Sequence, residues 1–153
     1  MTAHRPLAAL APVAAAVALF VAGCGGSGAS RNDYVKSLNE AVAALQQSTA
    51  SLGPSAAAGG DAVARLESGG KAMDVAAENF GEITPPGDAT HAHAQIVEGL
   101  HKFADTLREA ADAARAKDDT KLLKVLQGLE ESPGARELTA ATEELSAKGY
   151  NVQ

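Results

Sequence analysis

Apolar residues recur along the first polar-flanked stretch at alternating steps of three and four: Val35, Leu38, Val42, Leu45, Thr49 and Leu52. That spacing lines one face of an α-helix, the arrangement of a helix packed in a bundle. The pattern predicts a helix from about Asn32 to Ser51. Oxygens of Ser30, Asn32 or Asp33 are placed to accept first-turn N–H groups, and Gly53-Pro54-Ser55 ends it. A second stripe follows in Val63, Leu66, Gly70, Met73, Ala77 and Phe80, with Ile83 just beyond. Glycine costs a helix about 1 kcal/mol relative to alanine. Gly59-Gly60 and Gly69-Gly70 therefore leave two starts open, near Ser55 or near Asp61. Gly70 falls on the stripe, which fits close contact with a neighbouring helix. Thr84-Pro85-Pro86-Gly87 breaks the chain.

The third pattern is the longest, from an Asp88 cap to about Lys117, with Ala89, His93, Ile96, Leu100, Phe103, Leu107, Ala110 and Ala114 on one face. By this register Gly99 and Lys102 lie on the opposite face and tolerate alanine. After Asp118-Asp119-Thr120 come Leu122, Val125, Leu126 and Leu129, then Ser132-Pro133-Gly134, then Leu138, Ala141 and Leu145. Proline is accepted in a first helical turn and disrupts an interior one. Ser132 as cap and Pro133 as first helical residue is the simplest account, leaving the last region split or kinked at Pro133. Gly149 can stop the chain's final helix and let Tyr150 fold back. No segment alternates like a strand, and short connections favour antiparallel neighbours. The expected fold is all-α: an up-down-up-down four-helix bundle with a thin, alanine-rich core and no deep pocket.

The region before these helices has a different character. His4 and Arg5 precede an apolar run of sixteen residues, Leu7 to Ala22, and then come Gly23 and the chain's one cysteine, Cys24. A spanning helix needs about 20 apolar residues, so the run suits a cleaved export signal better than a permanent span. Val21-Ala22-Gly23-Cys24 resembles the lipobox of bacterial lipoproteins. The resemblance implies that signal peptidase recognises Val21, Ala22 and Gly23, and that Cys24 receives a diacylglyceryl thioether and becomes the first residue. It covers only about the first thirty residues. Two acyl chains anchor durably where one is marginal, at about 0.8 kcal/mol per buried methylene. The implied division is a signal peptide over 1–23, a lipidated Cys24 with Gly/Ser tether over 24–31, and a helical domain over 32–150.

Charge narrows the partners. Removal of residues 1–23 loses one cation, Arg5, and takes the net charge from −6 to −7. Only 3% of the residues are aromatic, and an acidic chain short of stacking rings is unsuited to nucleic acid. It is equally unsuited to electrostatic adhesion to an anionic membrane, so a lipid must hold the protein. With a single cysteine the domain relies on packing rather than disulfides.

Candidate chemistry is sparse. Glu98-Gly99-Leu100-His101 matches one Glu-x-x-His unit, but a dinuclear carboxylate site needs two, and no histidine follows His101. Glu98 and His101 also lie off the apolar stripe, where His101 would pair with Glu98 or Asp105. His91 and His93, two apart, point to nearly opposite sides of a helix. His93 falls on the stripe, where a histidine bonded to a backbone carbonyl is the ordinary arrangement, and His91 could reach Glu78 or Glu82. A metal corner built from Glu82, His91 and His93 is the alternative site. Serines lie in linkers, caps and polar faces, and Gly59-Gly60 has no following Lys-Ser/Thr as a phosphate loop requires. The expectation is a non-enzymatic, lipid-anchored protein on the outer face of the cell membrane, with no catalytic residues and no cofactor beyond the diacylglycerol on Cys24. It would act as an interaction or scaffold module toward an envelope protein, like the small helical lipoproteins of high-GC Gram-positive bacteria that its alanine and glycine richness resembles. A metal- or small-ligand-binding exported lipoprotein is the alternative.

Overall fold

A computed structural model describes residues 30–50 and 62–152. The expected signal peptide over 1–23, the lipobox-like Val21-Ala22-Gly23-Cys24, most of the expected tether over 24–31 and the choice between Ser55 and Asp61 as the second helix's start lie outside the described residues. Within them the chain is all-helical: α1 (Arg31–Ala50), α2 (Ala62–Gly81), α3 (Thr90–Arg115), α4 (Asp119–Gln127) and α5 (Pro133–Ala147), with a single 3₁₀ turn at Leu129–Glu131. None of these helices is long and apolar enough to cross a membrane.

The helix ends follow from local chemistry. Ser30 Oγ accepts the Asp33 amide at 3.2 Å and donates to Asp33 Oδ2 at 2.5 Å, a reciprocal cap at the start of α1. Ser30 thus caps α1, and Arg31 is its first residue. Asp118 caps α4 through the Lys121 amide at 2.9 Å, and Ser132 caps α5 through the Ala135 amide at 3.3 Å. Pro133 is the first residue of α5, so α4 and α5 are separate helices. Gly149 takes φ +80° at the other end of α5, where Tyr150 N–H returns to Leu145 O and Gly149 N–H to Ser146 O. This closing pattern satisfies the last carbonyls and turns Tyr150 back into the core. Lys117 ends α3 in the same way at φ 55°, with Asp118 N–H on Ala113 O.

Asp88 does not cap α3, contrary to the expectation. The N-cap position is Ala89, which has no capping side chain, and α3 starts at Thr90. The Pro85-Pro86-Gly87 turn sets that start, because the Ala89 amide bonds to Pro86 O at 2.9 Å. The Asp88 carboxylate is thereby left for the other helices.

The predicted stripe of α3 is buried or half-buried throughout, but the helix buries a second side as well, through Gly99, Ala104, Ala111 and Ala113. α3 is the central element, packed by α2 on one side and by α5 and α4 on others. Contacts along each pair run in opposite directions. Gly70 of α2 meets Ala104 and Arg108, and Gly99 of α3 meets Leu138 and Gly134 of α5. Lys102 reaches Glu137, and His91 reaches Glu144. The core cluster joins Tyr34 and Leu38 of α1, Ala76, Ala77 and Phe80 of α2, Ile96 and Leu100 of α3, Ala141 and Leu145 of α5, and Tyr150. α4 contributes no buried residue and leaves Leu123 57% and Leu126 41% exposed.

Two glycines correct the reading of the pattern. Gly99 is buried, so it does not face away from the packing. A methyl group there would come within 3.0 Å of Leu138 Cγ and 3.1 Å of Gly134 O. Gly134 is more constrained: a Cβ would stand 2.4 Å from Phe103 N and 2.6 Å from Gly99 O, both backbone atoms of α3. At Gly70, by contrast, an added Cβ meets Ala104 O at 3.4 Å, an ordinary van der Waals distance. The Gly70 contact with a neighbouring helix is real, but Gly134 is the position that only glycine fits. Gly134→Ala is expected to lower stability by about 3 kcal/mol or more, because backbone must move to relieve the overlap. Gly81→Ala, where a methyl meets nothing within 4 Å, should stay within about 1 kcal/mol of wild type. Urea midpoints of the two variants check the contrast.

Candidate functional site

A cluster of polar side chains converges at one end of the helices, where α1 begins, α2 gives way to α3, and α5 ends. The sequence explains why they meet. Tyr34 lies one turn into α1, His93 one turn into α3, and Tyr150 is brought back by the Gly149 turn. Tyr34 is fully buried at 0% exposure and its hydroxyl lies 3.1 Å from His93 Nδ1. The Tyr34 ring meets His93 edge-on at a centroid distance of 5.7 Å and Tyr150 edge-on at 5.6 Å, geometries that aromatic quadrupoles favour.

Around this aromatic centre runs a charged rim. Tyr150 Oη donates to Asp88 Oδ1 at 2.6 Å, and Arg31 Nη2 donates to Asp88 Oδ2 at 2.8 Å. Arg31 also donates through Nη1 to Lys148 O at 2.8 Å, with its guanidinium carbon 4.4 Å from the Tyr150 ring centroid. Lys148 Nζ donates to Asp88 O and to Glu144 Oε1, each at 2.5 Å, and Glu144 Oε2 lies 2.7 Å from His91 Nδ1. A single residue, Asp88, thus ties the start of α1, the start of α3 and the end of α5 together.

Protonation in the cluster follows these contacts. Burial, with a smaller push from Tyr150, raises the Tyr34 hydroxyl to about 12. The Tyr150 hydrogen bond, aided by Arg31, holds Asp88 below its ordinary value against some desolvation. Burial likewise raises Tyr150, with Asp88 adding to it. Lys148 and then His91 hold Glu144 low. Burial lowers His93, and the Phe80 carbonyl, which accepts from its ring, works partly against that. His93 is 7% exposed, so its charged form is the one disfavoured.

The structure does not bring Glu82, His91 and His93 together as one ligand set. His91 is exposed and pairs with Glu144 of α5, not with Glu78 or Glu82. His93 turns inward to Tyr34 and the Phe80 carbonyl, as expected of a histidine on the apolar stripe. Glu82 borders a shallow groove of about 350 Å³ beside Asp33, Tyr34 and Ile83. Among the described residues no three His, Cys, Asp or Glu side chains are grouped to hold a metal ion. Glu98 is exposed and pairs with Lys102, while exposed His101 faces Asp74 of α2 at 3.4 Å rather than Glu98 or Asp105. A second groove of about 660 Å³ runs between α3, α4 and the start of α5, lined by Glu109, Lys121, Val125 and Pro133 among others. Tyr34, Arg31 and Lys148 were not legible as site residues, because each contacts a partner more than fifty positions away. Comparison with protein-family profiles, with curated proteins and with solved structures gives no match.

Two outcomes follow from the buried pair. Tyr34→Phe keeps the ring packing and removes one hydrogen bond, so it should cost about 1 kcal/mol, whereas Tyr34→Ala should cost about 3–5 kcal/mol. Denaturant melts of both variants measure the difference. The pH dependence has a definite sign. His93 is held below its ordinary value of 6.5, so between the two values the unfolded chain binds more protons than the folded one. Stability is therefore full above about pH 6.5 and declines as pH falls through the lowered value. Denaturant midpoints recorded across that window should fall, and His93→Gln should flatten the fall.

Proposed function

We propose that this chain is a lipid-anchored extracytoplasmic protein that serves as a non-enzymatic interaction or scaffold module of the cell envelope. The observation that carries the reading is Val21-Ala22-Gly23-Cys24 after a sixteen-residue apolar run and before Gly25-Gly26-Ser27-Gly28. Small residues before the cysteine suit a peptidase that must fit the backbone, and the glycines after it suit a tether. In this reading Cys24 carries the diacylglycerol and residues 1–23 are removed.

The start of α1 supports a short tether. Ser30 caps α1 and Arg31 is bonded to Asp88 and Lys148 O, which leaves Gly25 to Ala29 between the lipidated residue and the fold. That length reaches at most about 20 Å. The end of the protein bearing Arg31, Asp88 and Tyr150 then stands near the headgroups, and α4 with exposed Leu123 and Leu126 lies away from them. The body in this reading is an up-down-up-down bundle of α1, α2, α3 and α5, with α4 laid along α3. The opposed contacts of α2 with α3 and of α3 with α5 support that arrangement. A partner in the envelope, and neither nucleic acid nor a substrate, suits an acidic helical surface whose ionic groups are largely engaged with one another.

The experiment is metabolic labelling with palmitate in cells that process lipoproteins. The wild-type chain should take up label and partition with the membrane, and Cys24→Ser should remain an unlabelled precursor. Equal labelling of the two forms would remove the basis of the reading.

A further inference from the structure

The helices at the Asp88 end are not held by equivalent contacts. α3 and α5 share backbone contact at Gly134 and the pairs Lys102–Glu137 and His91–Glu144. α1 has two fully buried residues, Tyr34 and Leu38, and packs chiefly on α2. Its links to α3, to the connection before it and to the end of α5 include the Tyr34–His93 hydrogen bond and the two bonds of Arg31, beside the ring contacts of Tyr34 and Arg31 with Tyr150.

These links answer acid differently. The latch takes the ring proton of neutral His93 on Nε2, so that Tyr34 Oη–H donates to Nδ1 at 3.1 Å. A proton from solvent must then enter at Nδ1. The new N–H points at Tyr34 Oη, whose own hydrogen must turn away into a fully buried site between the His93 and Tyr150 rings. Tyr34 Oη has no second acceptor among the described hydrogen bonds. Protonation thus leaves an unsatisfied buried hydroxyl beside a desolvated cation, and both costs vanish if the ring reaches water.

The neighbouring charges do not relieve this. On α1 they are Arg31, Asp33 and Glu40, and after α2 there is Glu82. Asp88 precedes α3, which carries His91, and α5 and its tail supply Glu144, Lys148 and Tyr150. Among the described residues no carboxylate is hydrogen-bonded to the His93 ring. Asp88 is committed to Arg31 and Tyr150, and Glu144 to Lys148 and His91. The His91–Glu144 contact has the opposite response, since a protonated His91 strengthens its attraction to a carboxylate.

We propose that the Tyr34–His93 pair is an acid-released latch: protonation of His93 frees α1 from α3 while α3 and α5 stay joined. The latch does not depend on Cys24 or on lipidation. If the chain is anchored as proposed above, α1 is the element that connects body to tether, and its release would uncouple the two.

The test is hydrogen exchange on the full-length chain near pH 7.5 and near pH 5, corrected for intrinsic exchange, around the range where histidine titrates. Peptides from Arg31–Ala50 should exchange about tenfold faster or more at the lower pH, while α3 and α5 keep their protection. His93→Gln, which keeps hydrogen-bonding capacity and cannot titrate, should abolish the acid response of α1. Imidazole NMR on the wild type gives a second readout, independent of whether that variant folds: the His93 titration midpoint should coincide with release of α1. Unchanged protection of α1, equal loss across all helices, an acid response surviving in His93→Gln, or a His93 midpoint apart from the release would each overturn the latch.

Discussion

The contact on which the fold depends is the meeting of two backbones at Gly134. The first turn of α5 rests on Gly99 O and Phe103 N of α3 with no room for a methyl group. Close approach of this kind is possible only where both surfaces are small. α3 offers it on more than one side, through Gly99 toward α5 and Ala104 toward α2. Side chains of alanine and glycine lose little rotamer freedom on burial, and dispersion between closely spaced backbones replaces part of the area that larger residues would bury. The few large side chains, Phe80, Ile96, Leu100 and Leu145, then fill the spaces left between the helices.

Such a core fixes spacing better than it fixes the ends. At the Asp88 end that task falls to polar contacts. Tyr34, His93 and Tyr150 form an aromatic centre, and Asp88 gathers Arg31 and Tyr150 from elements far apart in sequence. The interior pair and the exposed rim differ in kind. Salt screens the rim, and surface ion pairs contribute little individually. The buried Tyr34–His93 bond is sheltered from salt and sensitive to protons. In the proposed latch, the histidine placed there makes the attachment of α1 conditional on pH.

Function, in the reading offered here, is divided between two regions with different physics. The lipobox segment would determine where the chain resides, through two acyl chains and a short tether. The helical body would determine what it meets there. Its described surface carries paired charges such as Arg108–Asp74 and Arg115–Glu67. The departure is α4, an amphipathic helix that leaves Leu123 and Leu126 exposed.

The sequence by itself determined the elements that local chemistry controls. The three-four spacing of Leu38, Leu100 and Leu145 marked helical core faces, Ser132-Pro133 marked a helix start, and Gly149 marked the turn that buries Tyr150. Cys24 and its small neighbours could be read in the same way, as a pattern contained in a few residues. Tertiary structure decided what depends on distant partners. It turned Asp88 from a cap of α3 into the ligand of Arg31 and Tyr150, because the Pro85-Pro86 turn starts the helix without it. It buried Gly99 and left Leu126 of α4 exposed, which periodicity could not distinguish, since a glycine adds nothing to a hydrophobic stripe and a leucine adds to it whether or not a neighbour arrives. It also paired His91 with Glu144 and His93 with Tyr34, separating two histidines that stand two positions apart on one helix. Spacing sends them to different sides. Only the neighbouring helices determine which side is water and which is core.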